Sequence, residues 1–353
     1  MSNEFNLNCP VPLRDHPTVQ MAHGGGGRVM RQLIESLFLP AFASPPSAFP
    51  LPPSHDSAVF TIGTHKLAFT TDTFVVSPLF FPGGDIGHLA VFGTVNDLAM
   101  SGAKPLYLSA GFVLEEGLPL ETLQKVVASM AAAARECGVR IITGDTKVVD
   151  RGKGDGIFIN TAGVGLVPDG IEISPRRVTP GDAILLSGDL GRHGMAIMSV
   201  REGLGFEGDI QSDCANLSGL VEALLELGAD VHCLRDLTRG GLAAALNEIA
   251  IDMNVGMELD EQKIPVTAPV TAACEILGLD PLYVANEGRL VAFVAAEAAE
   301  KALKIMQNHT ATVDPAIVGR VTQEPAATVL LTGPFGGGRI VDLLSGEQLP
   351  RIC

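Results

Sequence analysis

The chain has 353 residues, 46% of them hydrophobic, and sets 40 acidic against 24 basic side chains for a formal charge of −16. That length exceeds what one hydrophobic core fills and points to two domains, while the acidic balance repels nucleic acid, anionic lipid and unscreened nucleotide phosphates. Trp is absent and Tyr occurs twice, which speaks against stacking on nucleobases.

The six cysteines, at 9, 137, 214, 233, 274 and 353, form no CxxC pair and no zinc-like spacing with His. Scattered single thiols suggest a reducing compartment, and the expectation is cytoplasmic. "MSNEFNLNCP" has no basic start leading into an apolar core, and no uncharged apolar run reaches 18 residues. Neither a secretory signal nor a membrane-spanning helix is expected.

In chain order, "MAHGGGGRVM" carries four consecutive glycines, and "RVMRQLIESLFLP" spaces Val29, Leu33, Ile34, Leu37 and Phe38 as a helix ending before Pro40. Residues 40–54 are Pro/Ser-rich and predict an irregular loop. "AVFTIGTHKLAFTTDTFVVS" predicts two strands around a turn at Gly63 and Thr64. A helix follows through "GHLAVFGTVNDLAMSGA" to Gly102, then a strand at "PLYLSAGFVL". "PLETLQKVVASMAAAARECG" is the clearest helix, with Leu123, Val126, Val127, Met130 and Ala134 on one face and Gly138 as its stop. Strands are predicted at "VRIITGDTKVV" and "DGIFINTAGVGLV". The Pro-, Gly- and charge-rich "SPRRVTPGD" at 174–182 is the best domain boundary. Beyond it, strand "AILLSG", helix "MAIMSVREG", helix "LVEALLELG", turn and helix "RDLTRGGLAAALNEIA", strand "GRLVAFVA" and helix "EAAEKALKIMQNH" alternate. Strands and helices interleave in both halves, so the class is α/β or α+β.

Four carboxylates are read as standing beside turn residues rather than inside helices: Asp56, Asp72, Asp97 and Asp145. Asp72 and Asp145 each follow a β run, and ligands bind at strand ends of open sheets. Several aspartates at one end of a domain repel each other unless a cation joins them, and Mg²⁺ takes carboxylate, phosphate and water oxygens together. An acidic protein can thus hold a nucleotide, although any single Asp here serves equally as a turn former or cap. The His23–Gly27 run could wrap phosphates with backbone N–H groups or act as a flexible lead-in, and it lacks the GK[ST] of a P-loop. "SGDLGRHG" is a second, equally weak Gly-spaced turn. Lys147 could touch phosphate as a point charge or be a solvated lysine. Glu287 before an apolar strand could act as a base or be an ordinary turn residue. Asp236 and Arg239 lie at a turn entering a helix, where Asp236 could be a simple cap. The sequence closes on "GEQLPRIC", in which Pro350 holds Leu349 extended. From Ser345 to Cys353 such a segment spans roughly 25–30 Å, enough to carry a thiol between two places.

Together, "HGGGG", "TVNDLAMSGA", "TGDTKVV", "SGDLGRHG", "RDLTRGGLA", "NEGR" and "GGGRIVDLLSGEQLPRIC" resemble the HypE family of hydrogenase maturation factors, in the aminoimidazole ribonucleotide synthetase-like (PurM-like) superfamily. The resemblance runs from about residue 20 to the end and is most specific at "LPRIC". Arg192 departs from it, since the family often has Asp there. The resemblance implies a two-domain PurM-like fold, each domain a mixed β-sheet with packed helices, plus an extended mobile C-terminal tail. The divisions expected are 1–44 (Gly-rich segment and helix), 45–175 (ATP-binding domain), 176–340 (second domain) and 341–353 (tail). It also implies ATP-dependent dehydration of an S-carbamoyl group on Cys353 to an S-cyano group, destined for the iron of [NiFe]-hydrogenase. Cys353, Lys147 and Glu287 would be catalytic. ATP would bind at His23, Gly25, Gly26, Asp97, Asp236 and Arg239, and Mg²⁺ at Asp56, Asp72 and Asp145. Implied partners are the carbamoyltransferase HypF, a HypC–HypD scaffold and a second copy of the chain. Thiamine-phosphate kinase-like or selenophosphate synthetase-like enzymes share the fold but need no C-terminal thiol. A non-catalytic thiol carrier would leave the aspartates unexplained.

Overall fold

The computed structural model describes residues 18–42, 55–203, 210–346, 349 and 351–353. Most of the Pro-rich loop, Cys9 and Pro350 lie outside the described residues.

Helices α1 (Arg28–Leu33) and α2 (Leu39–Phe42) flank a π-helical turn, Ile34–Phe38. Of the five apolar positions that predicted this helix only Val29 is buried, and Leu37 and Phe38 are exposed. A π turn shifts the angular phase of every later side chain, so the 3.6-residue spacing does not survive past Leu33.

Strands β1 (Ala58–Ile62), β2 (His65–Phe74), β3 (Phe80–Phe81), β4 (Gly84–Asp85), β5 (Lys104–Glu115), β6 (Arg140–Val149) and β7 (Ile157–Val167) form the first half, with α3 (Ile86–Met100) and α4 (Leu120–Glu136). The main sheet runs β1-β2-β7-β5-β6, antiparallel except for the parallel β5–β6 pair. Strand side chains alternate between faces, and the two faces here differ. Ala68, Thr70, Ile157, Ile159 and Thr161 are buried on the face toward α3, whereas Phe60, Phe69, Tyr107 and Leu166 stand exposed on the other. Every residue of α3 except His88 is buried. The sheet covers one side of this helix, and the second half covers the other. Such a helix reads apolar all round rather than as one stripe.

The second half contains β8 (Ala183–Leu186), α5 (Arg192–Arg201), α6 (Ser218–Leu224), β9 (Val231–Asp236), α7 (Gly241–Met253), β10 (Gly256–Asp260), α8 (Ala268–Leu277), β11 (Leu290–Val294), α9 (Ala299–Gln307), β12 (Ala316–Thr322), β13 (Thr328–Thr332) and β14 (Gly338–Val341). Its sheet is ordered β14-β13-β10-β12-β8-β11-β9. Central β11 is buried on both faces. Val291 and Phe293 join the core under α7, and Leu290, Ala292 and Val294 join the core under α6 and α9. The two halves share apolar contacts, since Ala99 and Met100 of α3 sit in the α6–α9 core. No helix among the described residues is long and apolar enough to cross a membrane.

Three aspartate placements need correction. Asp97 lies inside α3 rather than beside a turn, because that helix runs on to Met100. Asp72 is inside β2 and Asp145 inside β6, since both strands continue past the polar residues. Arg192 opens α5 and forms an ion pair with Asp189 at 2.8 Å, while Asp189 also meets buried Arg289 at 2.6 Å.

Candidate active site

A cavity of about 790 Å³ opens where β1, β2 and α3 meet the β9–α7 turn, with α1 along its wall. That volume suits a nucleotide-sized ligand. Asp56, Asp72, Asp97, Asp236, Arg239 and Gly26 line it. Asp56, Asp97 and Asp236 each offer a carboxylate oxygen, all within 4.8 Å of one another. They come from the segment before β1, the interior of α3 and the end of β9, so only the packed domains bring them together.

Burial raises the pKa of Asp56, Asp97 and Asp72, and lifts Asp236 to about 6. Neighbouring carboxylates push Asp56, Asp97 and Asp236 further up. Asp97 hydrogen-bonds with Asp72 and with Asp236, contacts that require a shared proton or give way to a cation. The Thr70 hydroxyl lies 2.7 Å from Asp97 Oδ2. Asp56 Oδ2 is buried with no hydrogen-bond partner among the described residues, as is Arg235 Nη1. An orphaned carboxylate oxygen within an oxygen-only donor set fits a hard divalent cation such as Mg²⁺, and an unused guanidinium N–H beside it fits a phosphate.

The glycine run has a packing reason. Gly26 has φ +74°, and a Cβ there would lie 2.7 Å from the Arg239 carbonyl oxygen. Arg28 donates its N–H to the Leu344 carbonyl at 2.8 Å, so the run is clamped between the β9–α7 turn and the base of the tail. His23 and Gly25 stand outside the cavity wall, and the Gln20 N–H donates to His23 Nδ1 at 3.0 Å.

Asp145 and Lys147 do not join the cluster within one chain. They pair with each other at 2.8 Å on exposed β6. In register, Asp145 sits beside Gly111 and, across it, Asn160, on the bare face of the sheet. Asp72 is paired with Thr161, which faces α3, so the two aspartates occupy opposite faces.

The tail is docked against the first domain. Val75 donates its N–H to the Cys353 carbonyl at 3.0 Å, and Ser77 to the Arg351 carbonyl at 3.3 Å. Arg201 Nη2 donates to the Arg351 carbonyl at 2.8 Å, and Arg351 forms an ion pair with Asp155. Ile352 is buried, and its carbonyl accepts from His193 Nε2 at 2.8 Å. A carbonyl can only accept, so Nε2 carries the proton and the Ser212 hydroxyl donates to Nδ1 at 2.8 Å. Replacing His193 by Ala removes this bond, worth about 0.5–1.5 kcal/mol net. The expected result is roughly three- to tenfold faster labelling of Cys353 by a thiol reagent, read by peptide mass. An unchanged rate would show that His193 does not hold the tail.

Docking places the Cys353 thiol near Arg239, Glu287, Asp72 and Asp236. Burial pushes the thiol up to about 12, against the pull of Arg239. Glu287 is buried with Oε1 unpartnered among the described residues, and its pKa is held well above the carboxylate range by burial and by Asp236, Asp213 and Asp72. Burial thus favours the neutral form of Glu287, whose carboxyl interacts with the Cys353 thiol, and Arg239, which interacts with that thiol, also lines the aspartate cavity.

The sequence reading missed Arg235, Glu248, Thr70, His193 and Arg201. Arg235 adjoins Asp236 in "LRDLTRGG", and His193 lies in the flagged "SGDLGRHG", but neither role has a spacing signature. Asp85, His88 and Ser129 also meet, yet Asp85 and Ser129 both reach the same ring nitrogen, Nδ1, at 2.8 and 2.6 Å. A nucleophilic triad uses both nitrogens, so this set serves to cap α3 against α4.

Residues 54–167 match the family described as AIR synthase related protein, N-terminal domain, and residues 179–331 match its C-terminal domain. Carbamoyl dehydratase HypE of Azotobacter vinelandii is 56% identical over 336 residues, covering 95% of this chain and 97% of that one. HypE of Cupriavidus necator is 55% identical over 355 residues, with both chains fully covered. A crystal structure of HypE in complex with ATP superposes with a TM-score of 0.79 at 47% identity, over 95% of this chain and all of that one. HypE from a HypE–HypF complex gives 0.82 at 48%, over 88% and 99% of the two chains. A thiamine monophosphate kinase from Aquifex aeolicus, at 16% identity and a TM-score of 0.63 over 87% and 100% of the chains, shares the fold alone.

Proposed function

This chain belongs to the HypE family of carbamoyl dehydratases within the AIR synthase related proteins, and from that premise we propose that it converts an S-carbamoyl group on Cys353 into an S-cyano group at the expense of ATP. The observation that carries this reading is the docked thiol beside Arg239 and Glu287, next to the aspartate-lined cavity.

The carbamoyl oxygen is a poor leaving group. It attacks the γ-phosphorus of ATP, ADP departs, and the C–O bond then breaks with phosphate as leaving group. Both N–H protons leave as C≡N forms, so atoms balance as S-cyano cysteine, ADP and dihydrogen phosphate. Asp56, Asp97 and Asp236 would hold Mg²⁺, which when bound would neutralise charge on the transferring phosphoryl group. Arg239 borders both the thiol and the cluster, and so orients the thiocarbamate oxygen toward the nucleotide. Glu287 acts as the base in its ionised form, taking an N–H proton and passing it on to the departing phosphate, while the docked tail limits the access of water to the intermediate.

The docked thiol, pushed up to about 12, is no nucleophile at neutral pH. Loading therefore takes place with the tail undocked, where HypF reaches the sulfur. The finished cyano group leaves by the same path to the HypC–HypD scaffold, in the cytoplasm. Single-turnover analysis of carbamoyl-loaded protein with Mg-ATP tests the reading. The expected result is a mass loss of one water per chain matched by one ADP. ADP release at constant mass would refute it.

The bare face of the first sheet, with Phe60, Phe69, Tyr107 and Leu166 exposed, pairs with the same face of a second copy. Ala58 and Thr71 lie at the edge of that face and line the cavity. The pairing brings the partner's edge strand to the cavity mouth, so Asp145 and Lys147 act in trans on metal and phosphate. Mixing inactive Lys147→Ala with inactive Cys353→Ala protein is then expected to restore about a quarter of wild-type activity through mixed dimers. No recovery after subunit exchange would place Lys147 in cis or outside the reaction.

A further inference from the structure

Asp56 lies before β1, outside any regular element, so nothing in the local backbone pattern fixes where its carboxylate points. Three contacts hold it instead, the third backed by a further ion pair. Its N–H donates to His55 Nδ1 at 2.9 Å, and its carbonyl accepts from the Thr70 hydroxyl at 2.9 Å. Its Oδ1 is 2.8 Å from Arg235 Nε, and Arg235 Nη2 is in turn 2.8 Å from Glu248 Oε2 on α7. Among the described residues Oδ2 has no hydrogen-bond partner. A guanidinium is a planar fork with fixed donor directions. With one prong hydrogen-bonded to Glu248, the guanidinium plane is fixed and its charge is held against Asp56 as an ion pair.

Charge alone does not explain the arrangement. Arg235 against Asp56 and Glu248 leaves one net negative charge, and Asp97 and Asp236 add to it. A purely structural ion pair would need no second carboxylate on the arginine. Holding a metal ligand through a fixed outer partner does need one, because the partner must itself be oriented.

We propose that Arg235 is a positioning residue for the cation, oriented by Glu248 and turning Asp56 so that its free oxygen faces Asp97 and Asp236. The chain of orientation runs from Glu248 through Arg235 to Asp56 and the ion. The proposal rests on the reading that this cluster binds Mg²⁺. It also gives Arg235, one residue before Asp236, a reason to sit on the same strand end: one β9 terminus supplies both a ligand and the orienter of another.

The test is Mn²⁺ binding to the full-length protein with a non-hydrolysable ATP analogue, followed by loss of the free-ion electron paramagnetic resonance signal. Arg235→Lys keeps the charge but loses the fork, and Glu248→Gln keeps an acceptor but loses the charge. Arg235→Lys is expected to weaken Mn²⁺ binding about 10- to 100-fold, and Glu248→Gln by a smaller factor. In single turnover, both raise the Mg²⁺ concentration needed for half-maximal rate, with the rate at saturating Mg²⁺ largely recovered. A merely structural role would lower thermal stability and leave the affinity of folded protein unchanged. Wild-type Mn²⁺ affinity in Arg235→Lys overturns the proposal; should that variant fail to fold, wild-type affinity in Glu248→Gln does so. Asp97→Asn separates the two levels. If it binds Mn²⁺ as wild type does, the cluster is not the metal site and the underlying reading fails as well.

Discussion

Cys353→Ala is expected to abolish S-carbamoylation and every later step while leaving nucleotide affinity within about threefold of wild type. The size of the effect follows from the state of the other thiols. Cys233 and Cys274 are buried in cores, burial pushes Cys274 up to about 11 and Cys137 up to about 12, and burial with nearby carboxylates raises Cys214 well above a normal thiol. Cys137 and Cys214 are half-buried, and all four are fixed in a helix, a strand or a packed segment rather than on a displaceable tail. The docked Cys353 is just as suppressed, at about 12, but it is held by a few tail hydrogen bonds and one buried isoleucine. Release of the tail returns it to ordinary solvent and ordinary thiolate chemistry, an option the other four thiols among the described residues do not have. Intact mass after incubation with the carbamoyl donor system checks the first half of this expectation, and calorimetric titration with the ATP analogue checks the second. A carbamoyl or cyano adduct on the Cys353→Ala protein would move the acceptor to another cysteine.

What was legible in the sequence follows from how local each signal is. The helix at Leu120–Glu136 has one covered face, so its 3.6-residue pattern could be read directly. Helix α3 is covered on both sides and carries a buried aspartate, so its continuity was read while Asp97 was still assigned to a turn. Asp56, Asp72, Asp97 and Asp236, each legible as an aspartate beside a strand or turn, all line one cavity, whereas Asp145 does not. Asp145 and Asp72 look alike in sequence, each inside a β run, and only the register shows that they point to opposite faces of the sheet. Arg235 and His193 act through contacts more than 150 residues away in the chain, and no spacing rule reaches that far. The glycine run was read as a phosphate cradle or a flexible lead-in. Its first physical requirement is the close approach of Arg239 and the tail base, which depends on the fold being known.

Asp97→Asn should separate function from stability in opposite directions. The buried Asp97 carboxyl has its pKa raised by desolvation and by the charges of Asp72, Asp236 and Asp56. A carboxyl with a folded-state pKa above its unfolded value weakens the fold as pH rises from the unfolded value through the folded one, and the penalty stays in full above it. At neutral pH without metal, the cluster therefore costs stability, which Asn at position 97 removes. The variant should melt higher than wild type in EDTA at pH 7, and the gain should shrink toward pH 4, where the wild-type carboxyl is protonated. Mg²⁺ with nucleotide should raise the melting temperature of wild type and do little for the variant. Activity should move the other way. If the three carboxylates ligate a phosphoryl-transfer metal as proposed, losing one of them removes several kcal/mol of transition-state stabilisation, or roughly 10²- to 10⁴-fold in single-turnover rate. A variant both less stable in EDTA and fully active would mean that the three carboxylates are held together for packing rather than for a cation. A cluster that strains the empty protein and is relieved by its ligand is what a binding site looks like when its residues are chosen for chemistry over fold.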